Sequence, residues 1–167
     1  MWIAGFKIYD RNNEFRKIVE DVKAEVYYYP VNYYIKEKRY FFIAVGIVKE
    51  NKDKFFREIK KLKKVRTGRR LELLEIEENF FTIITSHTMN QEEKKYVKHF
   101  YNSAIIHNKP IIFHMDGWEE WEIASLEKNA ITDLIEAGKN IYELEVLRFY
   151  WKKIKNFGFL SILPELT

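Results

Sequence analysis

The sequence predicts an α+β protein made of two tandem ferredoxin-like (βαββαβ) modules with antiparallel sheets. Three observations predict it. Apolar positions switch between the strand period and the helix period in the same six-element order twice along the 167 residues. Aromatic residues make up 17% of the chain, with Tyr and Phe dominating, which favours strands. The length suits two small modules, each marginal alone, that bury part of their surface against each other.

The elements follow in order. Trp2 to Tyr9 reads as a strand, and Asp10-Arg11-Asn12-Asn13 as a turn carrying a helix N-cap. Phe15, Ile18, Val19 and Val22 then fall at i, i+3, i+4 and i+7, one apolar helix face. Val26 to Ile35 is an aromatic strand interrupted by Pro30, which places it at an edge or over a bulge. Lys36-Glu37-Lys38 turns the chain into a return strand, Tyr40 to Val48. A second helix, about 52–63, carries Phe55, Phe56, Ile59 and Leu62 on its apolar stripe. Leu71 to Ile76 closes the first module, residues 1–77.

The second module, residues 78–156, repeats the order. Phe80 to Ser86 is its first strand and Glu92 to about Ile106 its first helix. Pro110 to Met115 and Trp118 to Ser125 form a hairpin around Asp116-Gly117, read as a two-residue type I′ turn. Ala130, Ile131, Leu134 and Ile135 line a helix expected to stop at Gly138, and Ile141 to Phe149 is the closing strand. Residues 157–167 read as a linker.

Composition narrows the chemistry. The absence of cysteine excludes disulfides, thiolate zinc sites and a cysteine nucleophile, and leads to the expectation of a cytoplasmic protein. No apolar run reaches the ~20 residues of a membrane-spanning helix, so no membrane partner is expected. The net charge of +4 is spread through the sequence and does not by itself demand nucleic acid. None of His87, His99, His107 and His114 falls in a metal-ligating spacing; a site joining His87 and His114 would depend on the fold, and no metal or cofactor is expected. No nucleophile elbow or phosphate-cradling glycine loop is present, so the chain is not expected to be an enzyme.

Two clusters remain. After the hairpin turn, alternation puts Glu119 and Trp121 on one face and Trp118, Glu120 and Glu122 on the other. Paired carboxylates beside aromatics suit acid–base work, and ordinary cross-strand pairing explains them equally. The second cluster is basic. Lys60, Lys61, Lys64, Arg66, Arg69 and Arg70 belong to a run from Lys52 that could contact phosphates, or simply form the solvated face of a helix. With Tyr27, Tyr28, Tyr29, Tyr33, Tyr34, Tyr40 and Phe41 as a stacking surface, the run supports an alternative reading as an RNA-binding module. A small dimeric α+β enzyme is a further alternative.

The segment Lys109-Pro110-Ile111-Ile112-Phe113-His114-Met115-Asp116-Gly117-Trp118-Glu119-Glu120-Trp121-Glu122-Ile123 resembles the region preceding the DNA-binding domain in archaeal regulators of the bacterio-opsin-activator type. Leu163-Pro164-Glu165-Leu166-Thr167 resembles the start of their linker-to-helix junction. The resemblance covers roughly residues 105–167, and the helix-turn-helix itself is absent from this chain. It implies the regulatory half of a transcription regulator, sensing an unidentified small-molecule effector or dimerising, and reaching DNA only through that absent helix-turn-helix. A homodimer joined through exposed edge strands, the tyrosine-rich one above all, is the expected partner arrangement. The regulatory residues expected on this reading are His114, Asp116, Glu119 and Trp121.

Overall fold

The computed structural model describes residues 1–62 and 70–153. Strands β1 (Trp2–Tyr9), β2 (Val26–Lys36), β3 (Arg39–Val48), β4 (Arg70–Glu77), β5 (Phe80–His87), β6 (Ile111–Phe113), β7 (Glu119–Ser125) and β8 (Glu143–Trp151) alternate with helices α1 (Glu14–Val22), α2 (Lys52–Lys61), α3 (Gln91–Phe100) and α4 (Lys128–Lys139). The strands form one antiparallel sheet in the order β4-β5-β3-β2-β6-β7-β1-β8.

That order corrects the expectation of two self-contained modules. A closed βαββαβ unit would pair its first strand with its own third and fourth. Here β1 lies between β7 and β8, and β5 lies between β3 and β4. Each half has given its first strand to the other, and β2 pairs with β6 to join them. Renaming β1–β4 as β5–β8, and the reverse, reproduces the same order read from the opposite edge. The sheet therefore has a pseudo-two-fold axis at the β2–β6 seam. One spacing along the chain separates the N-caps Asn13 and Asn90, the equivalent strand residues Ile8 and Thr85, and their respective cross-strand partners Glu119 and Phe42, taken in the reverse order.

The helices share one face of the sheet. Phe15, Ile18 and Val19 of α1, Phe55, Phe56 and Ile59 of α2, Tyr96, Val97 and Phe100 of α3, and Ile131, Leu134 and Ile135 of α4 join Phe6, Ile8, Val26, Phe81, Ile83 and Ile123 of the strands in one core. Each large side chain so buried contributes about 2–3 kcal/mol, enough to fix which face of every strand turns inward. The alternation in β2 is reset by a bulge between Pro30 and Asn32, which keeps Tyr28 and, beyond it, Tyr33 on the inner face. Pro30 thus sits at a bulge, at a point where β2 pairs with β3 and no longer with β6. The outermost strands of the sheet are β4 and β8; β2 lies inside it where Val26–Tyr28 pair with β6, and beyond Tyr28 it pairs, among the described residues, with β3 alone.

Turn and helix ends differ locally from expectation. Glu37 and Lys38 both have positive φ, so they make the two-residue turn of the β2–β3 hairpin. Asp116-Gly117 does not make such a turn. His114 N donates to Trp118 O, Gly117 N donates to His114 O, and only Gly117 has positive φ (85°). This is a three-residue connection with glycine in the left-handed position. Helix α4 runs past Gly138, which serves close packing: a Cβ there would sit 2.9 Å from Leu144 Cδ1 and 3.5 Å from the Tyr96 ring. Helix α3 ends at Phe100, six residues earlier than expected, and Ile106 instead bridges to Ala124. No helix among the described residues is long and apolar enough to cross a membrane.

Candidate ligand-binding site

Helix α1 packs on α2, and α3 on α4, leaving a cleft between the two pairs above the β2–β6 seam. A cavity of about 210 Å³ occupies it. That exceeds the roughly 150 Å³ apolar cavity known to admit benzene, so a small organic molecule fits where water alone would be poorly held. The cavity straddles the pseudo-two-fold axis: both Ile8 and Thr85, both Asp10 and His87, and both Phe42 and Glu119 line it. Through the strand exchange the lining residues are themselves paired between the halves, Ile8 with Glu119 and Phe42 with Thr85.

The walls are aromatic. Phe15 and Phe113 pack edge to face at 4.9 Å, Phe100 and Trp121 at 5.0 Å, and Phe100 and Tyr101 at 4.7 Å. Tyr28 and Phe42 complete the ring-lined floor. Trp121 also stacks on Phe6, which fixes its indole N–H toward the neighbouring inward side chain, Glu119.

Glu119 is the singular group of the site, buried at 5% exposure. Trp121 Nε1 donates to its Oε2 at 3.2 Å, and Asn13 Nδ2 donates to its Oε1 at 3.4 Å. Asn13 serves twice. Its Oδ1 caps α1 by accepting from the backbone N–H of Phe15 and Arg16, which leaves its amide NH₂ for the carboxyl. No cation among the described residues forms an ion pair with Glu119. Arg16 is close enough to influence it, yet its guanidinium is engaged by Glu20, by the Tyr9 hydroxyl at 2.9 Å and by the Asp10 carbonyl at 2.8 Å. Burial, reinforced by the Asp10 charge, pushes the Glu119 carboxyl up to about 8, against the restraining effect of Trp121, Asn13 and Arg16. At neutral pH the carboxyl is mostly protonated. Nearby, the buried Tyr96 hydroxyl, at 7% residue exposure, has no hydrogen-bond partner among the described residues, and burial with neighbouring charges raises its pKa well above the ordinary phenol value.

The sequence-selected residues separate in space. Glu119 and Trp121 meet in the cavity. His114 faces elsewhere, with Nε2 3.1 Å from Glu120 and Nδ1 4.0 Å from Glu25. Asp116 lies in the turn and accepts from the Trp118 N–H. Glu122 belongs to a separate ion-pair network; burial opposes its charge, but hydrogen bonds from Arg148, Lys109 and Asn108 prevail and hold it below the usual carboxylate range. His87 lines the cavity and His114 does not, so the pair does not form a metal site, and no three metal-ligating groups cluster among the described residues. Of the basic run, Lys60 and Lys61 lie on α2 with Lys61 bound to Glu58 at 2.6 Å, and Arg70 opens β4. Lys64, Arg66 and Arg69 lie outside the described residues. Of the tyrosines, Tyr28, Tyr33 and Tyr40 pack on the core, while Tyr29 and Tyr34 are exposed on the opposite sheet face.

Tyr96, Phe100, Tyr101 and Asn13 are not marked as site residues by the sequence, and Tyr28 is marked only as part of a stacking surface. Each carried an ordinary structural signal, a helix stripe, a strand position or an N-cap, and only the exchange of β1 and β5 brings them together. No protein-family model, no curated protein and no solved structure matches this chain.

Proposed function

We propose that this chain is a small-molecule-sensing module, with the seam cavity as its ligand site, acting as the regulatory part of a transcription regulator. The observation that carries this reading is a buried carboxyl without an ion pair in a ring-lined cavity built by both halves of the sheet. Folding leaves Glu119 desolvated and incompletely satisfied, which costs stability unless a ligand uses it. Pockets that are mostly apolar with a few convergent polar groups are the usual form of binding sites.

The regulatory context rests on the resemblance of residues 105–167 to bacterio-opsin-activator-type regulators. On this reading the halves are ferredoxin-like units that have exchanged first strands, so a ligand on their shared axis touches both. Binding would favour one packing of the α1/α2 pair against the α3/α4 pair, and a tethered helix-turn-helix would report it, in the cytoplasm and as a homodimer. An RNA-binding role draws less support, because Lys61 is already paired with Glu58 and three of the tyrosines face the core. A catalytic role draws less support as well, because the Glu119 carboxyl is held by Trp121 and Asn13 and not by a nucleophile.

The test is chemical-shift mapping with toluene and benzyl alcohol as neutral probes, on the chain and on Val97→Phe, which fills the cavity. Shifts confined to Tyr28, Phe100, Glu119 and Trp121, and absent in V97F, support the reading. Shifts on the open sheet face around Tyr29 and Tyr34, or none, refute it.

A further inference from the structure

The pseudo-two-fold axis makes a further deduction available, which rests on the seam cavity being a ligand site. Two-fold symmetry offers two equivalent places for a recognition group, and the sequence has filled them differently. One holds the Phe42 ring and the other the Glu119 carboxyl. Their strands are separated by β2 and β6, three strand spacings, or about 14 Å of sheet. The two ends of the cavity therefore differ, the Glu119 carboxyl standing at one and the Phe42 ring, beside Thr85 and His87, at the other.

The Glu119 end selects charge. Glu119 has two donors directed at it, from Trp121 and Asn13, and no ion pair. Arg16 is held by Glu20 and Tyr9. Asp10, Glu14 and Glu93 line the same cavity, against Arg70 and His87. The Tyr96 hydroxyl, buried and without a partner among the described residues, stands in the wall as a second polar group that a ligand can satisfy. The other end, with Phe42 and Tyr101, offers π faces, which attract cations and flat apolar groups alike. A neutral hydrocarbon would leave Glu119 and Tyr96 as they are, whereas a cation can pair with the Glu119 carboxylate.

We propose that the cavity binds one small organic cation per chain, its charge against the Glu119 carboxylate and its flat apolar body over the rings at the Phe42 end. Binding replaces a carboxylic acid by a carboxylate–cation pair, and the displaced proton passes to solvent. The groups facing Glu119 in this exchange are Asp10 at the end of β1, Arg16 on α1, Tyr28 on β2 and Tyr96 on α3.

The experiment is isothermal titration calorimetry with benzyltrimethylammonium and its neutral carbon isostere, neopentylbenzene. It is run at pH 7 in two buffers of different ionisation enthalpy, on the intact chain and on Glu119→Gln. The expected result is one site per chain and tighter binding of the cation by about tenfold or more. Close to one proton is released per cation bound, and both the preference and the proton release are lost in E119Q. Equal affinity for the two probes, with no proton release, overturns the cation assignment while leaving the cavity as a ligand site. Binding of neither probe, or two equivalent sites per chain, overturns it together with that reading. A circular-dichroism melt of E119Q establishes that the variant is folded; should it not be, Glu119→Asp, which keeps the charge but shortens its reach, must weaken the cation more than the isostere.

Discussion

Phe42 and Glu119 hold equivalent places in the two halves of the sheet, each facing its partner strand residue, Thr85 and Ile8 respectively, across one cavity. A symmetric frame thus carries an asymmetric site, and the consequences are measurable.

Strand exchange predicts how the chain behaves when cut in the β4–β5 turn, at Glu78 and Asn79. A fragment 1–78 lacks the β5 that fills the space between β3 and β4, and the fragment from 79 lacks the β1 that lies between β7 and β8. Neither fragment alone is expected to unfold cooperatively, while mixing them restores a cooperative transition by circular dichroism. A stably folded, monomeric fragment 1–78 would mean that each half prefers its own first strand.

Glu119 predicts a pH dependence of stability with a definite sign. Its folded pKa, about 8, lies above the ordinary carboxyl value of 4.5, so the folded chain binds more protons than the unfolded chain between those values. Stability therefore falls as pH rises through that window, by on the order of 4 kcal/mol if this group acts alone, and levels off above it. Glu119→Gln should remove this slope, gaining on the parent at pH 8 and matching it near pH 4.5. Urea unfolding at the two pH values checks it; parallel profiles for parent and variant would contradict it.

The Tyr96 hydroxyl predicts an unusual mutant. Removing a buried group that has no partner among the described residues relieves its desolvation, so Tyr96→Phe should leave the empty protein unchanged or more stable by about 1 kcal/mol. Thermal unfolding decides, and a loss of stability would show that the hydroxyl has a partner in solution.

Gly46 marks a close approach on the inner face. A Cβ there would run into the Phe81 ring and come within 2.8 Å of the Tyr27 carbonyl oxygen. Gly46→Ala is expected to cost about 1–3 kcal/mol in chemical denaturation, because the fully buried Phe81 ring must shift within the core to admit it. A neutral result would mean that Phe81 repacks.

Much of this fold can be read in the sequence, and the reason is periodicity. Phe15, Ile18, Val19 and Val22 define a helix face, and alternation puts Glu119 and Trp121 on one common face of β7, though it takes the structure to show that this face is the inner one. Alternation does not say which strand lies alongside. Trp2–Tyr9 carries the same inward Ala4, Phe6 and Ile8 whether it pairs with β3 or with β7, so the exchange leaves no local trace. The cavity depends on that exchange. Asn13 reads only as an N-cap, and Tyr96 and Phe100 only as a helix stripe, until β1 is set beside Glu119. The Asp116-Gly117 turn was misread because one left-handed residue, not two, closes that hairpin.

The most direct measurement is a pH titration of the Glu119 side-chain carboxyl by carbon-13 NMR, assigned by comparison with Glu119→Gln. The central claim is that both halves of the sheet close around this carboxyl and leave it without an ion pair, and it predicts a midpoint near 8. A midpoint near the ordinary value of 4.5 would mean that water or a cation reaches Glu119 in the empty protein, and would contradict the site described here.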